Sequence, residues 1–450
     1  MTLCQQFAHY ALGQRAQSLS DAQRNALRRV LMDWLGCAIA GADAEVVVLL
    51  KDSLELEVPA ADALVLDSRR LGMRSAAMVN AVAAHALELD DIYKEGLFHP
   101  GAPVIAAALA VAESRGASID ELLVAILVGY EISTRIATVI NPGHYRFWHT
   151  TGTVGCIGAA AAAAMLLKCD EEQFAHALAN ATTFASGLQQ AFRSAAMTKP
   201  LHAGHAADTG VWTALAAHRG VTGALDILEG DAGFGAAMGG SPDWRLALAD
   251  LGQVCNTASI TFKRHACCGQ TFSAVDAVLK LRPELLDALE RIERIDVFTN
   301  QQTLAMTANA APTDPLAARF SMAYVLASAL HHGDVGMSAF EPERINDPAV
   351  RRLMPRIRMQ VDAAIDASFP AKRSARIRIQ LSDGRVLEHF QSHRKGDPED
   401  PLSDEELEAK FLASAASNLP RERAVAMLER LHRLEEVACL DVLLEGVRRG

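Results

Sequence analysis

The sequence predicts a mainly α protein in which a long helical block is followed by a smaller α+β segment and then by a helical tail. Three observations carry that expectation. Up to about residue 265, apolar residues recur at helical spacing behind recognisable helix starts. After about residue 270, stretches appear that alternate apolar with polar. From Ser403 onward the helical pattern returns.

The first block opens with Ser20-Asp21-Ala22-Gln23, a capping box whose serine and glutamine side chains satisfy backbone amides left free at a helix start. Leu27, Val30, Leu31, Trp34 and Ala38 follow as an i, i+3, i+4, i+7 stripe, which one buried helix face requires. Ser118-Ile119-Asp120-Glu121 repeats the device before LLVAILVGYEISTRIA, and Asp170 opens EEQFAHALANATTFASGL. Alanine dominates these segments. Its short side chain lets helices approach closely and loses no rotamer entropy.

RIERIDVFT (291–299) and ARIRIQL (375–381) read as half-buried strands. Asp383-Gly384 and the resumed alternation of VLEHF predict a hairpin. Helices are expected around ELLDALERI and RFSMAYVLASAL. Ser403-Asp404-Glu405-Glu406 is a further capping box, and GDPEDPLSD (396–404) is where the chain crosses back to the first block. The expected divisions are 1–265, 266–398 and 399–450.

With 450 residues, the chain exceeds one ordinary core. A formal charge of −11 without a basic run argues against nucleic acid as the main partner. Eight cysteines form no C-x-x-C pair, and the N-terminus lacks the basic-then-apolar pattern of a signal peptide, so reduced thiols in the cytoplasm are expected. The run Val154 to Leu167 is shorter than the about 20 residues that span a bilayer. A buried helix, with no membrane partner, is expected there.

Four stretches could carry chemistry. HALELDDIYKEGLFHP (85–100) gathers His85, Glu88, Asp90, Asp91, Glu95 and His99. If it is helical, His85 and Glu88 share a face, as do Glu88 and Asp91. A metal site, an acid/base apparatus and a solvated helix end all remain open. A metal needs three or four fixed ligands, and H-x-x-E occurs here without a partner motif. In YRFWHTTGTVG (145–155), His149 precedes the alanine-rich helix, either as a bonded core histidine or as a proton carrier. In SAAMTKPLHAGHAADTG (194–210), Lys199 has no acid beside it in sequence. Desolvation would let it exchange protons near neutrality, unless its stem simply carries it to the surface. His202 and His205 share a face there but lack a complete ligand set. In TFKRHACCGQTF (261–272), Lys263 and Arg264 suit a carboxylate, while Cys267 and Cys268 lie before a helix start that favours thiolates or are buried and inert. GFGAAMGG (233–240) has one residue too many for a dinucleotide fingerprint and no preceding strand.

Taken in order, these blocks resemble the MmgE/PrpD family. HALELDDIYKEGLFHPGAPVIAAALAVAE resembles its H-A-x-D-F-D-D … H-P block, and WHTTGTVGCIGAAAAAAMLL its H-x-T-G-T-x-G-x-x-G-A-A-A-A block. TKPLHAGHAA with GALDILEGDAGF, PLAARFSMAYVLASAL and the G-x-P-x-x-P-L-S-D-x-E-L tail follow in family order, so the resemblance covers nearly the whole chain. It implies a large all-helical domain, built from both chain ends, with an inserted smaller α+β lid domain. It also implies a homodimer and no metal or organic cofactor. The site residues it implies are Glu88, Asp90, Asp91, His99, His149, Lys199, His202, Cys268 and Tyr324, with His149 and Lys199 suited to proton transfer. Lys263, Arg264 and Arg319 are candidate carboxylate anchors, because cations, and bidentate arginine above all, match that group.

The family includes 2-methylcitrate dehydratase, cis-aconitate decarboxylase and an iminodisuccinate epimerase. The expected function is therefore a lyase, a dehydratase or decarboxylase, acting on a small di- or tricarboxylate by proton transfer α to a carboxylate. An epimerase and a non-catalytic carboxylate binder are the alternatives. Glu88 stands where the family usually has Asp, Ile92 where threonine is common, and Cys268 where the decarboxylase branch carries histidine. These departures bear on which carboxylate fits. The acids of 88–91 are expected to frame the site and orient His99 and Lys199, with Asp91 turned into a helix-end or inter-helix bond.

Overall fold

In the computed structural model, Ser20, Ser118 and Asp170 each cap a helix in the way their sequences suggest. Each side chain accepts from the backbone three residues on, and the glutamine or glutamate there answers the cap's own amide. The helices they open run Asp21–Gly41, Ile119–Ile140 and Glu171–Thr183. Leu27, Val30, Leu31, Trp34 and Ala38 are all buried, as the stripe requires. The structure describes residues 1–54, 63–64, 70–193, 196–240, 242–369 and 371–447. Ser194 and Ala195, at the head of the third chemistry-bearing stretch, lie outside the described residues.

Two compact units result, Met1–Thr261 with Asp404–Gly450, and Phe262–Ser403. The joints fall at 261/262 and 403/404, where the texture of the sequence suggested 265/266 and 398/399. Thr261 stays with the first unit through a two-way backbone bridge to Ile92.

The first unit is a helix assembly with one small exception to the all-helical expectation, the antiparallel pair Ala63–Leu64 with Arg70–Leu71. At its centre, Thr150–Leu166 is buried along its whole length and packs against Ile119–Ile140, Gly101–Arg115 and Thr198–His218. Small side chains allow this: a Cβ added at Gly210 would lie 2.4 Å from Ala159 Cβ and 2.6 Å from Ala160 N. The Ile119–Ile140 helix is long and apolar enough to cross a bilayer by length and composition, but 83% of its apolar window is buried in protein, as in the core helix of a globular unit. The sequence reading had singled out the shorter run Val154 to Leu167 instead.

The second unit holds a four-stranded mixed sheet in the order Ile357–Val361, Ile292–Thr299, Ala375–Leu381, Val386–Gln391. The first two strands pair parallel and the others antiparallel. Leu381 and Arg385 close the hairpin, and Gly384 takes φ +85°, the left-handed position that a three-residue loop needs. ELLDALERI is a correction. It forms the short 3₁₀ turns Arg282–Glu284 and Leu289–Arg291, and the α-helix lies earlier, at Phe272–Leu281. The strand Ile357–Val361 is an addition, and it pairs on one side only.

Candidate active site

The helix Met73–Ala86 ends too soon for the arrangement the spacing suggested. Leu87 caps it, and Glu88 takes φ +59°, an uncommon left-handed conformation for a residue with a side chain. His85 and Glu88 therefore do not share a helical face. The turn instead directs Glu88, Asp90 and Asp91 to different partners.

Glu88 pairs with the Lys199 ammonium, which comes from the first turn of Thr198–His218. The acid that Lys199 lacks in sequence is supplied from 111 residues away. Asp90 accepts from His85, with Nδ1 to Oδ2 at 2.7 Å, and both side chains are fully buried. His99 Nδ1 lies 3.2 Å from the same Asp90 oxygen, in contact but off the line of a well-formed hydrogen bond. Asp91 turns away, accepting from Gly101 N at 3.0 Å and from the Tyr130 hydroxyl at 2.8 Å. This is the helix-end and inter-helix bond expected of it, at the start of Gly101–Arg115. A Cβ at Gly101 would sit 2.7 Å from both Asp91 Oδ1 and Tyr130 Oη, so the bond needs a glycine there.

His149 sits immediately before Thr150–Leu166, and its amide donates to Gly187 O. Its Nδ1 lies 3.1 Å from His202 Nδ1. Both atoms cannot be donors, so one ring carries its proton there and the other does not. A Cβ at Gly152 would lie 2.5 Å from Ser186 O and 3.1 Å from His202 Cβ, which gives the T-G-T of the motif a physical reason. His85 lies stacked on His149, with centroids 5.6 Å apart, and edge-on to His99 at 4.8 Å. His205 turns elsewhere, to Phe184 O and Thr209, so the His202/His205 pair of the sequence does not converge.

The electrostatics follow from burial. Burial holds His149 well below the usual imidazole range, aided by His85 and His202, and lowers His85 to about 3 and His202 to about 4. These rings are neutral at pH 7. Burial alone would raise Asp90, but His85 and His99 outweigh it and hold the carboxyl well below its ordinary value. Asp91 goes the other way, up to about 7, through burial and then the charges of Asp33 and Asp90.

His85, Asp90 and His99 each offer a donor atom within 4.8 Å of one another, so a metal ion would find three ligands here. The 2.7 Å between His85 and Asp90 is hydrogen-bond length, and a carboxylate bonded to imidazole is its simplest account. His85 is the residue sequence reasoning undervalued. It is absent from the site residues the resemblance implies, although its place in H-A-x-x-x-D-D beside a helix end is the available signal.

The remaining candidates all belong to the second unit. Arg264 is exposed, and Lys263 is buried. Arg319 donates to Ala266 O and lies over the Phe340 ring at 4.4 Å. Cys268 N donates to Arg319 O, and the Tyr324 hydroxyl donates to Ala339 O. Burial pushes the Cys267 thiol up to about 12, so the thiolate reading fails at that cysteine.

A helical unit that gathers neutral imidazoles, a buried carboxylate and a lysine–glutamate pair is equipped for acid/base chemistry. Residues 5–247 match the MmgE/PrpD N-terminal domain and residues 265–434 the MmgE/PrpD C-terminal domain. The chain belongs to the MmgE/PrpD family. It is 29% identical to cis-aconitate decarboxylase of Homo sapiens, over 99% of this chain and 95% of that protein. It is 28% identical to the cis-aconitate decarboxylase-like protein oryM of Aspergillus oryzae, over 94% and 93%. With cis-aconitate decarboxylase of Aspergillus terreus the identity is 25%, over 98% and 94%.

Proposed function

We propose that this chain is a lyase that needs no cofactor, acts on a small di- or tricarboxylate, and moves a proton at the carbon α to a carboxylate. The observation that carries the reading is the convergence of His149, His202, His99 and Asp90 with the Glu88–Lys199 pair in one helical unit. The decarboxylase relatives support the lyase class. The resemblance of the sequence blocks supports a homodimer with the second unit as a lid, and the cysteine pattern supports a place in the cytoplasm.

Either outcome of such a lyase uses these groups. In dehydration, a base takes the α proton and the neighbouring hydroxyl leaves as water after an acid protonates it. In decarboxylation, the electrons of the broken carbon–carbon bond stay on carbon, which then takes a proton from the acid. Neutral His149 can accept a proton only when its charged form becomes favourable. An anionic substrate beside it does that, since an opposite charge raises proton affinity. Its Nε2 is the accepting atom in the tautomer that donates Nδ1–H to His202. Lys199, held by Glu88, is the acid and the nearest positive charge for a substrate carboxylate. Glu88, in place of Asp, meets Lys199 directly, and Ile92 stands in place of Thr, which favours a carboxylate other than cis-aconitate or methylcitrate.

Proton NMR in heavy water tests the reading with methylcitrate, citrate, cis-aconitate, itaconate, and amino- and imino-linked succinates. A new product with deuterium at the reacting carbon is expected from one of them. Exchange into recovered substrate without net product would move the assignment to an epimerase. Silence from folded protein across the set would sink it. Lys199→Ala and His149→Ala should each lower turnover by about 10²–10⁴-fold, the usual worth of a positioned proton carrier. Near-normal rates in both variants would remove these residues from the chemistry.

A further inference from the structure

We infer that His85 is a positioning residue of this site: by donating Nδ1–H to Asp90 Oδ2 it fixes the carboxylate that holds His99 in its Nδ1–H tautomer. The inference rests on the proton-transfer reading above for its purpose, though not for its geometry.

His85 is fully buried, so its ring is not placed to meet a substrate directly. Its contacts are with the site nevertheless. Nδ1 bonds to Asp90 at 2.7 Å, one face lies on His149, and an edge lies on His99. The arrangement is expensive. Among the described residues, His85 Nε2, Asp90 Oδ1 and His99 Nδ1 are buried without a well-formed hydrogen bond. Each such atom costs about 1–3 kcal/mol, and an apolar side chain of similar volume would fill the space without that cost. A histidine kept only for packing has no reason to accept the penalty.

One oxygen of Asp90 serves both imidazoles. His99 Nδ1 faces that oxygen at 3.2 Å without a well-formed bond, and an anionic oxygen at that distance favours a proton over a lone pair on the facing nitrogen, so both rings carry their proton on Nδ1. The shorter bond, from His85, sets where that oxygen points, and His99 meets it at the longer distance. Without His85 the carboxylate is free to rotate about its own χ2, and His99 loses the acceptor that distinguishes its nitrogens. In the Nδ1–H tautomer the lone pair of His99 is on Nε2, which defines a single proton-accepting nitrogen.

The test uses full-length protein labelled with ¹⁵N-histidine in wild-type, His85→Phe and His85→Asn forms. Phenylalanine keeps the ring and removes the donor. Asparagine loses the ring but places an amide N–H near the Nδ1 position. Ring nitrogen shifts, assigned through His99→Gln, report the tautomer of His99. We expect a single Nδ1–H tautomer in wild type and H85N, and a mixture in H85F. Asp90→Asn, which leaves His85 in place, should give the same mixture and covers the case of H85F failing to fold. With cis-aconitate or whichever polycarboxylate of the set above is turned over, H85F should lower kcat by about 10–100-fold with little change in KM, and H85N should recover most of it. An unchanged His99 tautomer in both H85F and D90N overturns the inference. So does an H85N variant as slow as H85F, or a stoichiometric metal whose removal reproduces the H85F defect. If wild-type protein turns over nothing in the set, the lyase reading fails while the tautomer measurement still decides the role of His85.

Discussion

Asp91 keeps its proton far more firmly than an exposed aspartate, although two donors point at its oxygens. Its value of about 7 against an ordinary 3.8 means the native state binds this proton more tightly than the unfolded chain does. The resulting stabilisation is complete below the ordinary value and is lost as the pH rises through about 7. Asp90 runs the opposite way, its contribution being lost only as the pH falls towards its depressed value. Asp91→Asn removes the first titration and leaves the second. Its melting temperature should vary less than that of wild type between pH 4 and 8, with the gap widest at the acid end. Equal slopes in the two proteins would assign the pH dependence to another group. At this scale the sequence showed which residues matter better than how they meet. The gathering of His85, Glu88, Asp90, Asp91 and His99 was plain from composition. The pairing was not, because the helix stops at Ala86 and two left-handed residues, Glu88 and Leu97, redirect the chain after it.

The turn that carries these residues is held from behind by a helix distant in sequence. Lys410, on Asp404–Ala415, donates to Leu89 O at 2.8 Å and pairs with the buried Asp33 carboxylate on Asp21–Gly41. Leu89 lies between Glu88 and Asp90, so this lysine fixes the backbone from which both acids project. Lys410→Met should destabilise the protein by about 3–5 kcal/mol, because Asp33 is left as a buried charge without its cation. Asp33→Asn in the same chain should restore part of that stability, yet turnover should stay low, since the Leu89 tether is still absent. Denaturant melts and steady-state rates of wild type and the two variants separate the effects, and full recovery of rate in the double variant would disprove the tether. Among the elements, the stripe of Leu27, Val30, Leu31, Trp34 and Ala38 was a sound guide to the helix Asp21–Gly41, although burial there goes beyond the stripe and takes in every residue from Val30 to Gly41. Periodicity misled at ELLDALERI, where apolar spacing resembles a helix but the chain must turn within a few residues into the strand starting at Ile292. At Ile357–Val361 the alternation Ile-Arg-Met-Gln-Val is present but only five residues long, and none of those residues is fully buried, so the signal is weak.

On the scale of the whole chain, the first unit is completed only by its last residues. The order helix block, insert, tail could be read from texture, because strand-like alternation is confined to the middle of the chain. What texture could not give was how far the tail is integrated. Leu407 and Phe411 are buried, and a Cβ at Gly36 would lie 3.3 Å from the Phe411 ring, so Asp404–Ala415 packs directly on Asp21–Gly41. Ending the chain at Ser403 therefore removes part of a core. Gly36 and the helix around it lose Phe411, Asp33 loses Lys410, and the Glu88–Asp91 turn loses its backbone anchor. A chain of residues 1–403 should show no cooperative melt for the first unit, bind an apolar dye such as ANS, and have no measurable turnover. The second unit, Phe262–Ser403, is intact in that chain, so residual strand signal in circular dichroism is compatible with the prediction. Supplying residues 404–450 as a separate peptide should restore part of the melt if packing is the cause. A truncated chain that melts as wild type does would show that the tail only covers a surface and that the core of the first unit closes without it.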